Sequence, residues 1–204
     1  FLGYRQLDTP AVVKAIIKDG QRVDHANAGD EVAIVLDRTT LYAESGGQVG
    51  DTGVIGSADT AVDVLNTTKN HNGIFLHQAK VKAGMVSCGE SVSVQVDSVR
   101  RRSIMRNHTA AHLLQAALRS VLGTHVEQAG QLVNGVHVRF DFTHFSALTP
   151  EEISKVENLV NQKILFSIPV ITREMPIEEA KKLGAMALFG EKYGDVVRVV
   201  SVGD

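Results

Sequence analysis

Between Thr9 and Asp97 the chain repeats one arrangement: a short run of β-branched and apolar residues, a turn-forming cluster, then another run. The runs cover 11–17, 31–36, 60–65, 73–76 and 91–96, and the clusters include Asp19-Gly20, Ala28-Gly29-Asp30, Ser45-Gly46-Gly47, Asn72-Gly73 and Cys88-Gly89. Branched side chains suit a pleated strand, and glycine or asparagine at the breaks supplies the backbone freedom of tight turns. Regular short strands with this punctuation predict a small β-barrel.

At Asp97 the period changes. Asp97 or Ser98 can cap a helix running to about Leu122, with Ile104, Ala111, Leu114, Leu118 and Leu122 on or near one stripe and Gly123 closing it. Strands are expected over 126–133 and 136–142, hinged at Asn134-Gly135. Thr149-Pro150-Glu151-Glu152 combines an N-cap, a first-turn proline and a third-position glutamate, and starts a helix reaching roughly Leu165. A strand over 169–173, a short helix over 176–183 and a final strand over 196–202 follow. The expected fold class is therefore α+β, with an N-terminal β-barrel subdomain over 1–97 and an α/β-sandwich-like core with a long helix over 98–204. There is no internal repeat and no low-complexity tract.

The bulk numbers exclude several classes. With 204 residues, 44% hydrophobic and 22% charged, the chain has the balance of a core-burying globular protein. A formal net charge of −2 gives no general attraction to a polyanion, so any nucleic-acid contact must come from a local basic patch. The single cysteine, Cys88, excludes an internal disulfide and any multi-cysteine zinc motif, and makes a reducing, cytoplasmic setting the simplest expectation. No apolar run approaches the roughly 20 residues of a membrane span, so no membrane partner is expected. The opening Phe1-Leu2-Gly3-Tyr4 reads as the interior of a longer chain.

Five segments carry possible chemistry. His108 and His112 are four residues apart in the predicted long helix, so both project from one face, a recurrent way of holding zinc. The alternative is a pair of imidazoles that are merely capped by carbonyls or exposed. No glutamate follows the first histidine, which disfavours a metal-dependent peptidase. Glu44-Ser45-Gly46-Gly47-Gln48-Val49-Gly50-Asp51 lacks the lysine and helix of a phosphate loop; Gly46 and Gly47 make either a plain turn or a close approach for another backbone or a ligand, lining a site. Arg100, Arg101, Arg102 and Arg106 form a solvated helix face or, more sharply, a phosphate-binding patch. Cations at a helix N-terminus oppose the macrodipole, which points to a compensating role. Arg139 and Asp141 alternate with Val138, Phe140 and Phe142, as in a strand with one charged face. Residues 186–194 read either as a loop whose apolar part packs inward while Lys192 reaches out or equally as a plain connection.

Taken together, Tyr42-Ala43-Glu44-Ser45-Gly46-Gly47-Gln48, Asn107-His108-Thr109-Ala110-Ala111-His112-Leu113-Leu114, Gln131-Leu132-Val133 with Arg139-Phe140-Asp141-Phe142, and Ala187-Leu188-Phe189-Gly190-Glu191-Lys192-Tyr193-Gly194 resemble, in this order, the editing region of alanyl-tRNA synthetases. Free-standing relatives that deacylate mischarged tRNA in trans share much of the pattern. The resemblance spans essentially the whole chain. It implies hydrolysis of the ester in Ser-tRNA(Ala) and Gly-tRNA(Ala), with the tRNA acceptor end and the rest of a synthetase as partners. It implies that His108 and His112 bind zinc with a cysteine and a histidine lying beyond Asp204, so a chain ending there is expected to bind zinc weakly or not at all. Cys88 does not match the third ligand. Thr109 resembles the residue implicated in distinguishing serine, and Gln128 matches a position of the editing pocket. Arg100, Arg101, Arg102 and Lys192 are then expected to hold tRNA, with Gly46 and Gly47 lining the pocket beside the histidines.

The chemistry explains the need for such a site. A hydrophobic pocket cannot strongly reject an added hydroxyl or a smaller ligand, so a second, hydrolytic site is the remedy. Hydrogen bonding the serine hydroxyl adds selectivity, because alanine would leave a buried polar group unpaired at a cost of about 1–3 kcal/mol. Two other readings stay open: a fragment that binds the tRNA acceptor end without catalysis, and a free-standing trans-editing deacylase.

Overall fold

A computed structural model describes residues 1–185 and 194–203. The elements run β1 (Asp8–Lys18), β2 (Gln21–Val23), β3 (His25–Asn27), β4 (Glu31–Leu36), β5 (Gly53–Gly56), β6 (Ala61–Lys69), β7 (Phe75–Ala83), β8 (Met85–Ser87) and β9 (Ser91–Val96). There follow α1 (Ser98–Leu122), β10 (Gln128–Val133), β11 (Val138–Phe142), α2 (Pro150–Leu165), β12 (Val170–Pro176), α3 (Ile177–Lys182) and β13 (Val196–Val202). The α+β class holds. Among the described residues no helix is long and apolar enough to cross a membrane.

The barrel is closed and antiparallel. Its strands follow the order β1-β4-β7-β6-β5-β9, β9 returns to β1, and β2 hangs on the outside of β1. Closure depends on β1, which is long enough to serve two neighbours. Asp8 to Val12 pair with Gln95 to Ser91 of β9, and Val13 to Ile17 pair with Leu36 to Ala33 of β4, with a register shift between Val13 and Ala15 where the partner changes. An extra residue bends a strand and sharpens its twist, which is how a flat ladder turns a corner. Gly53 serves the same curvature, because a Cβ there would run into the Gln95 carbonyl of the next strand. Val13, Ile16, Ile34, Ile55, Val62, Val81 and Val94 fill the interior, alternating with outward polar residues as the period of two requires.

The barrel also encloses a polar group that no sequence pattern announces. His77 is fully buried, with Nδ1 2.8 Å from the Ile34 carbonyl and Nε2 2.9 Å from the Thr39 hydroxyl. The carbonyl can only accept, so Nδ1–H donates to it and the Thr39 O–H donates to Nε2; the neutral ring is satisfied on both sides. Desolvation pushes its pKa down to about 4.

The chain forms two compact units. The first comprises Phe1–Ala111 and Gly130–Phe140, so it extends past residue 97 to include the barrel, the first half of α1 and the tip of the β10–β11 hairpin. Ile104 and Ala111 of α1 pack there with Val133, Val49 and Val138. The start of α1 is capped by Asp97, whose carboxylate accepts from the Arg100 backbone N–H at 2.9 Å. The hairpin turn is closed by the Asn134 side chain, which accepts from the N–H groups of Val136 and His137.

The second unit comprises His112–Ala129 and Asp141–Asp204. Thr149 and Glu152 form the expected capping box at the start of α2, with each side chain accepting from the other's backbone N–H. β12 and β13 pair antiparallel from Val170↔Val202 to Pro176↔Val196. α3 joins this ribbon, burying Ala180.

Candidate functional site

The glycine-rich segment is strapped to β10, not left as a free loop. Gly46 and Gly47 take φ of 58° and 80°, which lets the chain reverse between the Ser45 and Gln48 backbones. The Val133 N–H donates to the Gly47 carbonyl at 2.8 Å, the Val49 N–H donates to the Val133 carbonyl at 3.1 Å, and Gln131 Nε2 donates to the Gly46 carbonyl at 2.6 Å. A Cβ on Gly47 would overlap the Gln131 carbonyl. Of the two close approaches that adjacent glycines permit, this one is made by another strand.

Three bonds then tie this segment to α1. Gln48 Oε1 lies 2.6 Å from His108 Nδ1, Arg100 donates to the Gly50 carbonyl at 2.8 Å, and Arg101 holds the Asp51 carboxylate. The Asn107 amide donates to the Asn134 carbonyl at 2.7 Å, fixing α1 to the hairpin turn one residue before His108. His108 is therefore oriented from both neighbours within the first unit. Thr109 follows it on the helix and is half-buried. Sequence reasoning left Gln48 out of the site, although it stands inside the quoted glycine motif; its residue type alone carries no ligand signal.

The arginine run does not act as one patch. Arg101 is 6% exposed and Asp51 is 1% exposed. The guanidinium spans both carboxylate oxygens and also donates to the carbonyls of Gly3 at 2.9 Å and Thr40 at 2.8 Å. The expectation that Arg101 holds tRNA is corrected here: its donors are turned into the protein, and a phosphate cannot approach. The helical period is the reason, since one residue in a run of three on a packed helix must face inward. Arg100 is half-buried on the Gly50 carbonyl, while Arg102 and Arg106 are exposed, the latter donating to Ser103 Oγ at 2.9 Å. Lys192 lies outside the described residues.

His112 and Gln128 belong to the second unit. His112 keeps an exposed surface, and the protein packed about the rest of the ring lowers its pKa below the ordinary imidazole value by desolvation. Gln128 opens β10 and is half-buried. Nearby in sequence, His125 and His144 are linked nitrogen to nitrogen at 2.9 Å, a pairing that strand patterns cannot reveal.

The donor set can be weighed against a metal. Among the described residues no three histidine, cysteine, aspartate or glutamate side chains converge. Cys88 is packed on the barrel core, its Sγ 3.5 Å from the Val23 carbonyl. Within the first unit His108 has an acceptor at Nδ1, the way the second ring nitrogen of a ligating imidazole is commonly engaged.

The family described as tRNA synthetases class II (A) matches residues 1–100. Over 204 residues, 100% of this chain, it is 56% identical to an alanine–tRNA ligase of Acetivibrio thermocellus, 50% to one of Bacillus velezensis and 49% to one of Bacillus subtilis. These relatives, at 49–56% identity, are alanine–tRNA ligases. In each case the aligned part is 23% of the relative's length, so the chain corresponds to about a quarter of such a ligase.

Proposed function

We propose that the chain is the editing segment of an alanine–tRNA ligase, hydrolysing the ester of seryl- and glycyl-tRNA(Ala). The observation that carries this reading is the oriented His108, one helical turn before His112 and held by Gln48 of the glycine-rich segment, in a chain homologous throughout to alanine–tRNA ligases. In the reaction, water attacks the ester carbonyl, the bond from acyl carbon to ribose oxygen breaks, and the free amino acid and the tRNA 3′-terminal hydroxyl are released. The Thr109 hydroxyl would bind the serine side chain and so disfavour alanine; Gln128, in the second unit, is matched to an editing position by the resemblance alone. His108 and His112 would each be a candidate zinc ligand, and zinc would supply Lewis-acid polarisation when bound. Exposed Arg102 and Arg106 would contact phosphates of the acceptor stem. The setting would be cytoplasmic, with the remainder of the ligase in cis.

The test is deacylation of seryl-tRNA(Ala) by this chain and by a complete ligase containing it, each with and without His108→Ala. Hydrolysis abolished by the substitution supports the proposal, and absence of hydrolysis in both unsubstituted proteins overturns it. A second reading, acceptor-end binding without turnover, is favoured by the two exposed arginines; it would show as salt-dependent tRNA binding with no hydrolysis.

A further inference from the structure

In the 2.6 Å contact between Gln48 and His108 the atom that faces Nδ1 is the amide oxygen. An amide oxygen only accepts, so the hydrogen in the contact belongs to the imidazole. In a neutral ring with Nδ1 protonated, the lone pair sits on Nε2, and that nitrogen is the one that ligates or accepts. We propose that Gln48 is a positioning residue that locks His108 in the Nδ1–H tautomer and so presents Nε2 as the ligand atom. The consequence for metal binding rests on reading His108 as a metal ligand; the tautomer itself does not.

The surroundings of Gln48 are built for a fixed role. It is 7% exposed, although an amide side chain in a turn is ordinarily solvated. Its N–H donates to the Ser45 carbonyl at 3.0 Å, and it bridges to Val133 of β10. The adjoining Gly47 is seated against the Gln131 backbone, which leaves the turn little room to shift. One hydrogen bond thus joins Gln48 to His108, sixty positions further along the chain. The acceptor is uncharged, so it sets the tautomer without adding a negative charge beside the ring.

The experiment uses the full chain with histidines labelled in nitrogen-15, free of metal and at pH 8, where long-range proton–nitrogen correlation reads the protonated ring nitrogen directly. A His108→Asn sample assigns the signal. The expected result is Nδ1–H in the unsubstituted chain and in Gln48→Glu, which keeps an acceptor, and loss of that tautomer's dominance in Gln48→Met, which keeps volume without one. A zinc titration by calorimetry on the same proteins should show at least tenfold weaker binding for Gln48→Met and rescue in Gln48→Glu, in keeping with outer-shell partners elsewhere. Nε2–H in the unsubstituted chain overturns the proposal whether or not the variants fold. So does an unchanged Nδ1–H tautomer in a folded Gln48→Met. A tautomer that follows Gln48 while no protein binds zinc supports the positioning role and defeats the metal reading instead.

Discussion

Arg101→Ala separates a structural arginine from the neighbours that face solvent. In the native chain the Arg101 guanidinium satisfies the Asp51 carboxylate and two backbone carbonyls, with both side chains almost wholly removed from water. Truncation leaves a buried carboxylate whose remaining partner at Oδ2 is the Tyr42 N–H, at 2.6 Å, and strands the Gly3 and Thr40 carbonyls. Breaking one half of a buried pair costs about 3–5 kcal/mol, against a total stability of about 5–15 kcal/mol for a domain. With a urea dependence of about 2 kcal/mol per molar, the unfolding midpoint should fall by roughly 1.5–2.5 M. The chain has no tryptophan, so the transition is followed by far-ultraviolet circular dichroism. Replacing both partners together, as Arg101→Met with Asp51→Leu, should recover part of the loss, because no uncompensated charge then remains. A loss below about 1 kcal/mol for Arg101→Ala, or a double variant worse than the single one, would refute the reasoning.

Arg102→Ala should leave stability within about 0.5 kcal/mol and weaken tRNA binding, lowering the slope of log affinity against log salt by about 0.9 if it meets one duplex phosphate. Filter binding across a salt series checks it, and an unchanged slope removes the phosphate role. For His77, the folded-state pKa of about 4 lies below the unfolded value of 6.5, so the unfolded chain takes up the proton first as pH falls. Its contribution is therefore full above pH 6.5 and is lost progressively toward pH 4, by about 3 kcal/mol in all; urea unfolding between these values should show that loss, diminished in His77→Gln. Gly47→Ala combines a left-handed φ of 80° with a clash on the Gln131 carbonyl, and should destabilise by about 2 kcal/mol or more and disturb His108. Thermal melting together with the His108 ring signal would show both effects, and a variant as stable as the parent would contradict the described turn.

Several elements were legible because their causes are local. The strands Glu31–Leu36 and Ser91–Val96, the helix Ser98–Leu122 and the helix Pro150–Leu165 appear at the bounds read from periodicity and capping. Asp97 and Thr149 act as caps through neighbours three residues away, a range that a sequence displays directly. The short strands β2, β3, β5 and β8 escaped notice, because three or four residues are too few for a period to show and their pairing partners lie elsewhere in the chain. β5 carries glycines at both ends, where a Cβ would meet the Gln95 and Thr60 carbonyls.

The candidate site divides in the same way. The histidine spacing, the twin glycines and the arginine run were visible as residue types in a pattern, and they pointed to one helix and one turn. Which arginine is buried, which carbonyl meets Gly47, that a histidine lies inside the barrel, and that Gln48 grips His108 were settled only by the fold. Each of those facts joins residues 38 to 98 positions apart, Thr39 to His77 at one end of that range and Gly3 to Arg101 at the other. Backbone propensity and side-chain period act over a few residues, whereas burial and hydrogen-bond partnership depend on what the closed barrel brings alongside, and no local pattern encodes that neighbour.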